Sequence, residues 1–209
     1  MEPVDLALII ALDCSASVTF DEFGLIAGGC AAGLRDPEVL SGLTGGPLGA
    51  SACALLLWSG REQHEISVDW TRIATPQALE RFAADVEDTP RFGLAGLTAI
   101  GSALLVCEQM LSSLPAEARR KVVDVAGDGR ANDGPAPGPI RDRLADAGVT
   151  INGLCVLHDE PDLVESYTRE VIGGPGAFAL QCQDFEGFAE AMRQKLQKEI
   201  AVLPARAPG

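Results

Sequence analysis

The residues best suited to chemistry in this chain are oxygen donors, and they fall in three short stretches. Asp13-Cys14-Ser15-Ala16-Ser17 sets a carboxylate and two hydroxyls at alternate positions, directly after the apolar run Leu6–Leu12. Gly96-Leu97-Thr98-Ala99 adds a hydroxyl, and Gly127-Asp128-Gly129 adds a carboxylate after the apolar stretch Val122–Ala126. Each stretch alone has an ordinary explanation, because Ser, Thr and Asp favour turns and helix caps. Together, Asp13, Ser15, Ser17, Thr98 and Asp128 make a set of hard ligands with no His or Cys pair beside them, which suits a hard divalent cation. With two carboxylates at most, such an ion keeps positive charge that an outside carboxylate can satisfy. Mg²⁺, which takes oxygens octahedrally and retains some waters, is the first choice, with Mn²⁺ and Ca²⁺ as alternatives.

Three separate loops can share an ion only if one rim of the fold collects them, and the hydrophobic pattern predicts such a rim. Leu6–Leu12 is apolar throughout, as a strand covered on both faces would be. Thr19 and Glu22 form a capping box ahead of Phe23, Ile26, Cys30 and Leu34 at helical spacing, with Pro37 just past the helix end. A Gly-rich loop, 45–49, leads to a second buried strand, Ala52–Trp58. Ile66, Val68 and Trp70 alternate with polar residues and read as an antiparallel edge strand. Thr75-Pro76 opens a helix carrying Leu79, Phe82 and Val86 inward. A loop from Gly93 to Thr98 enters the helix of Ile100, Leu104, Cys107 and Leu111. Strand 122–126, a long loop to Gly138, a helix from Pro139 to Gly148, strand 149–157 and a helix over 161–172 follow. A turn at 173–176, a short strand 177–180 and a helix capped by Asp184 complete the pattern. The alternation predicts an α/β fold: a doubly wound, mostly parallel six-stranded sheet with one antiparallel edge strand and helices on both faces. In such sheets ligands bind beyond the carboxyl ends of the strands, where all three oxygen-bearing stretches fall.

The bulk properties narrow the partners. The chain has 209 residues, enough for one domain, read here as 1–203 with a flexible tail at 204–209. Sixteen Lys and Arg against 30 Asp and Glu give a net charge of −14, and Arg119-Arg120-Lys121 is the one basic cluster of note. Nucleic acid is therefore not expected as a partner. No apolar run is long enough for an integral membrane span, and Leu6–Leu12 lacks the flanks of a signal peptide. The six cysteines show no zinc-binding spacing and sit mostly in apolar stretches, so buried free thiols are expected, with one or two disulfides left open.

The DxSxS pattern at Asp13, Ser15 and Ser17, the later Thr98 and the Asp128 after a central strand resemble the metal-ion-dependent adhesion site of von Willebrand factor A domains, and the element order is similar across nearly the whole chain. The resemblance extends to a bacterial subfamily of uncharacterised function through the stretches 4–8, 124–129, 151–154 and 172–178. It implies that Ser15, Ser17 and Thr98 bind the ion through hydroxyls, that Asp13 and Asp128 supply carboxylates directly or through water, and that an acidic side chain from a protein partner completes the shell. It also implies a non-enzymatic binding module, in a periplasmic or secreted setting if a leader was removed; a cytoplasmic setting stays open. Cys14 inside the loop and Leu97 before Thr98 depart from the family pattern without removing a ligand.

Other readings fit less well. A phosphotransferase of the haloacid dehalogenase type needs a second Asp where Ser15 stands. A serine hydrolase lacks its GxSxG elbow and has only His64 and His158 as candidate bases. No Gly-Lys-Ser or Gly-Lys-Thr supports a nucleotide loop. A metal-free interaction scaffold is the main alternative, and the filling of all five ligand positions argues against it. Asp133 is close enough in sequence to Asp128 to support it, and Asp159 reads as a loop or cap residue.

Overall fold

The computed structural model describes residues 1–91, 96–158 and 160–201. Strands β1 (Val4–Asp13), β2 (Ser51–Trp58), β3 (His64–Ile73), β4 (Ala118–Gly127), β5 (Val149–Val156) and β6 (Ala179–Cys182) form one sheet in the order β3-β2-β1-β4-β5-β6. All neighbours are parallel except β2 and β3, which pair antiparallel with a register shift near Leu55. Helices α1 (Phe20–Leu34), α2 (Pro37–Thr44), α3 (Pro76–Glu87) and α7 (Phe188–Ile200) cover one face; α4 (Ile100–Ser112), α5 (Pro137–Asp146) and α6 (Leu163–Glu170) cover the other. The expected doubly wound sheet with an antiparallel edge is what the chain forms. The strand order reverses direction between β1 and β4, and this is where the rim gathers its loops.

Strand β1 shows why the sheet needs two layers of helix. Leu6, Leu8, Ile10 and Leu12 enter the core beneath α1 and α7, while Ala7, Ile9 and Ala11 face α4. Every residue from Val4 to Asp13 is buried. The edge strand β3 is the more exposed strand, but the alternation read from Ile66, Val68 and Trp70 does not hold. Ile66 is exposed, Val68 joins the core on the side of α1 and α3, and Trp70 packs on the opposite face, because the register shift near Leu55 breaks the two-residue period. The Thr19–Glu22 capping box forms as read, with Glu22 N donating to Thr19 Oγ1 at 3.3 Å and Thr19 N donating to Glu22 Oε2 at 2.8 Å.

Several boundaries differ from the sequence pattern. Pro37 does not merely follow a helix end: it is the first residue of α2, with Asp36 Oδ1 accepting from Glu38 N and Val39 N. Helix α5 starts at Pro137 rather than Pro139, α6 is confined to Leu163–Glu170, and β6 is shifted to Ala179–Cys182. Helix α7 begins at Phe188, where Asp184 Oδ1 accepts from Gly187 N at 3.0 Å rather than capping the helix itself. Asp159, the tail 204–209 and residues 93–95 of the loop before α4 lie outside the described residues.

All six cysteines are buried free thiols. Burial pushes the thiols of Cys30 and Cys155 up to about 12 and that of Cys182 up to about 11, and moves Cys14, Cys53 and Cys107 upward as well. Cys14 packs into the core beneath α1, so the thiol in the rim loop belongs to the interior.

One buried feature has no counterpart in the hydrophobic pattern. Lys195 and Glu199 of α7 and Asp124 of β4 are all at most 1% exposed. Lys195 Nζ lies 2.5 Å from Asp124 Oδ1 and 2.8 Å from Glu199 Oε1, and Asn152 Nδ2 donates to the same Glu199 oxygen at 2.8 Å. Asn152 Oδ1 in turn accepts from Phe178 N, and Arg120 Nη1 donates to Glu199 O at 2.7 Å. Burial, then the neighbouring Glu199, raises the Asp124 carboxyl well above its ordinary range, which favours a proton shared within the cluster over a second bare anion. Burial works against the Lys195 ammonium, but the Asp124 and Glu199 carboxylates outweigh it and raise its pKa. Lys195→Ala leaves the buried Asp124–Glu199 pair without its cation, so urea denaturation is expected to show a loss of about 3–5 kcal/mol. A loss below about 1 kcal/mol would mean that the ion pair does not constrain α7.

Candidate metal centre

The rim is assembled from the ends of β1, β2 and β4 by short backbone bonds. Beyond Asp13, Cys14 N donates to Trp58 O at 2.8 Å, tying the DxSxS loop to the end of β2. Ala16 N donates to Gly96 O at 2.9 Å, Gly96 N to Ser59 Oγ at 3.0 Å, and Ala99 N to Ser59 O at 2.9 Å. The loop ahead of α4 is thus held against the DxSxS loop, with Ser59 as the peg. Arg91 Nη2 donates to the carbonyls of Cys14 and Ser15, each at 3.1 Å, and its guanidinium lies 5.0 Å from the centre of the exposed Phe20 ring.

The five expected residues converge on this rim. Asp13 Oδ1 accepts from Ser15 N at 2.7 Å, a tight turn that fixes the carboxylate at the strand end. Ser15 Oγ and Ser17 Oγ are 3.1 Å apart, and Ser17 Oγ donates to Asp128 Oδ1 at 2.9 Å across 111 residues of chain. Thr98 N donates to Asn132 Oδ1 at 2.8 Å and Thr98 O accepts from Asn132 N at 3.0 Å, so the loop after β4 clamps Thr98. A side-chain carbon on Gly129 would sit 3.6 Å from Thr98 Oγ1, which places that hydroxyl beside the Asp128 loop. Asp13, Ser15, Thr98 and Asp128 are each at most 5% exposed, while Ser17 is open to solvent.

The electrostatics are those of an anionic pocket. Burial first, and then the charge of Asp128, raise the Asp13 carboxyl from 3.8 to about 7, against the opposing pull of its Ser15 hydrogen bond and of Arg91. Asp13 Oδ2 is buried and accepts no hydrogen bond among the described residues. A divalent cation resolves both problems, since it neutralises the paired carboxylates and gives the orphaned rim a hard partner. The donors present therefore fit such an ion. Among the described residues no cluster of three or more His, Cys, Asp or Glu could hold a metal, so hydroxyls must supply part of any coordination shell.

The sequence missed the residues that shape this rim. Ser59, Arg91 and Asn132 act through backbone bonds that no spacing announces. Arg130 N and Nε donate to Glu160 at 3.3 and 2.7 Å, and Arg130 also pairs with Asp162, bracing the loop after Asp128. Asp133 does not support Asp128: its carboxylate accepts from Arg61 N at 2.8 Å and pairs with the Arg61 guanidinium, fastening the β2–β3 turn. His64 is exposed on the edge strand, and His158 lies 6.1 Å from Phe185, ring to ring.

The raised Asp13 carboxyl makes a prediction for the metal-free protein. Its folded pKa lies above the unfolded value, so the folded state holds the proton more tightly and loses stability as pH rises from about 4 to about 7, by up to roughly 4 kcal/mol. Asp13→Asn removes the titration while keeping an acceptor for Ser15 N. In chelator at pH 8 the variant is expected to unfold at higher urea than the parent, the gap narrowing toward pH 4. A parent as stable as the variant at pH 8 would contradict a desolvated carboxylate at this position.

Comparison with known proteins gives the family and the fold. The family described as "Protein of unknown function (DUF1194)" matches residues 3–204. None of the curated proteins matches the chain. Among solved structures, proximal thread matrix protein 1 from the mussel byssus, with a zinc-occupied MIDAS motif, is similar at a TM-score of 0.67 and 18% identity over 95% of this chain and 46% of that one. The von Willebrand factor type A protein from Catenulispora acidiphila gives a TM-score of 0.65 and 18% identity over 94% of this chain and 43% of that one. The vWF domain of the type V pili tip protein Mfa5 from Porphyromonas gingivalis gives a TM-score of 0.64 and 10% identity over 99% of both chains. The chain spans about half the length of the mussel protein (46–47%). The chain belongs to the DUF1194 family, and its fold is that of a von Willebrand factor A domain.

Proposed function

We propose that the rim holds one divalent cation, Mg²⁺ in the first instance, through Asp13, Ser15, Ser17, Thr98 and Asp128, and that the ion binds an acidic side chain of a protein partner. The observation that carries this reading is the pairing of two buried carboxylates with hydroxyls lined up between them. Such an arrangement is costly without a cation and natural with one. The ion would supply Lewis acidity toward a carboxylate. The chain's own part is to fix Asp13 through the Ser15 amide and to hold Thr98 through Asn132. The solved relative with zinc at its MIDAS motif supports a divalent ion in this fold, and the byssus and pilus proteins among the similar structures support a binding role outside the cytoplasm. On this reading the domain binds and does not turn over a substrate. Among the described residues no helix is long and apolar enough to cross a membrane.

Calorimetry on chelator-stripped protein tests the proposal. Mg²⁺ or Mn²⁺ is expected to bind the parent at about one site and to give no heat with a folded Asp13→Ala/Ser15→Ala variant. A folded parent that takes up neither ion removes the mechanism, and equal binding by the variant moves the ion elsewhere.

A further inference from the structure

Beneath the rim lies a second orphaned oxygen. Tyr167 of α6 is fully buried, and its hydroxyl has no hydrogen-bond partner among the described residues. A buried hydroxyl left unpaired gives up its hydrogen bonds to water without replacing them, and phenylalanine would fill the same space without that cost. The ring is seated by two glycines on neighbouring strands. A side-chain carbon on Gly153 of β5 would meet Tyr167 Cδ1 at 2.9 Å, and one on Gly127 at the end of β4 would meet the Tyr167 hydroxyl at 2.8 Å. The same point beside Gly127 is 2.9 Å from Asp13 Oδ2, the other buried oxygen without a partner. Two orphaned polar atoms thus flank one small space, from which both glycines exclude any side chain but the tyrosine. Burial, reinforced by Cys155, Asp13, Asp128 and Glu160, raises the phenol well above its ordinary pKa, so the hydroxyl keeps its proton and can act as a donor.

We propose that Tyr167 is a positioning residue of the metal centre, its hydroxyl reaching the inner oxygen of Asp13 through one bridging water. The inference rests on the metal-binding reading above. Asp13 Oδ1 is already fixed by the Ser15 amide, so a donor on Oδ2 leaves the carboxylate no freedom to rotate away from the rim. The hydroxyl also offsets part of the cost of keeping Asp13 ionised in a dry site, which is when an ion needs it. Groups that orient a ligand from behind in this way typically affect metal affinity by tenfold or more.

Tyr167→Phe removes one oxygen and leaves the packing. Mg²⁺ and Mn²⁺ titrations of the stripped parent and variant, with melting in chelator and in saturating metal, separate the roles. The expected result is an unchanged or higher Tm in chelator, a metal Kd weakened about tenfold, and a smaller metal-induced rise in Tm. An unchanged Kd overturns the inference, and a lower Tm in chelator with an unchanged Kd assigns the hydroxyl to packing alone. If the parent binds no ion, the metal reading itself fails, which is a different result from a parent and a variant that bind equally.

Discussion

Strand β1 runs through the middle of the sheet with helices over both faces, so no water reaches the chain from Val4 to Asp13, and the carboxylate that ends the strand is left in a dry environment. The rest of the rim follows from that constraint. A desolvated carboxylate needs donors or a cation, and the chain turns sharply after Asp13 to provide the Ser15 amide. The next hydroxyls reach Asp128, whose strand is β1's other parallel neighbour, and the β2 end supplies the backbone bonds that bring in the loop of Thr98. The position of β1 between β2 and β4 therefore turns three distant stretches of sequence into one site.

How much of this could be read beforehand depended on whether an effect is local. The buried strands and the capping box at Thr19 are local patterns, and the structure contains them. The alternation read over Ile66, Val68 and Trp70 is broken by a register shift that only the pairing of β2 with β3 creates. Pro37 does lie just past the end of α1, but a proline after a helix is also a good first residue of the next one, and only Asp36 ahead of it signals α2. The convergence of Asp13, Ser15, Ser17, Thr98 and Asp128 was legible because a doubly wound sheet collects its strand ends. Asn132, Ser59 and Tyr167 were not, since what they touch is brought to them by the fold from other elements of the chain.

The buried cluster under α7 marks the limit of pattern reading. Lys195 and Glu199 stand four residues apart, the spacing of an ordinary solvated pair on a helix surface. Nothing in their spacing reveals that Asp124 and Asn152 wait on the sheet below, where a hydrocarbon layer surrounds all four. The stretches that carry the subfamily resemblance include Asp124, Asn152 and Phe178, which join this network, and Gly127 and Gly153, which seat Tyr167. Part of that resemblance therefore lies in buried positions away from the rim.

The six thiols are distributed through the rim loop, α1, β2, α4, β5 and β6, so nearly every layer of the domain carries one sulfur. Each is shielded and held in its unreactive form by the packing around it. A thiol becomes available to an alkylating reagent only when its own layer opens, and layers open with different free energies. The molecule thus carries a built-in set of reporters, in which the order of labelling would read out the order in which the architecture comes apart.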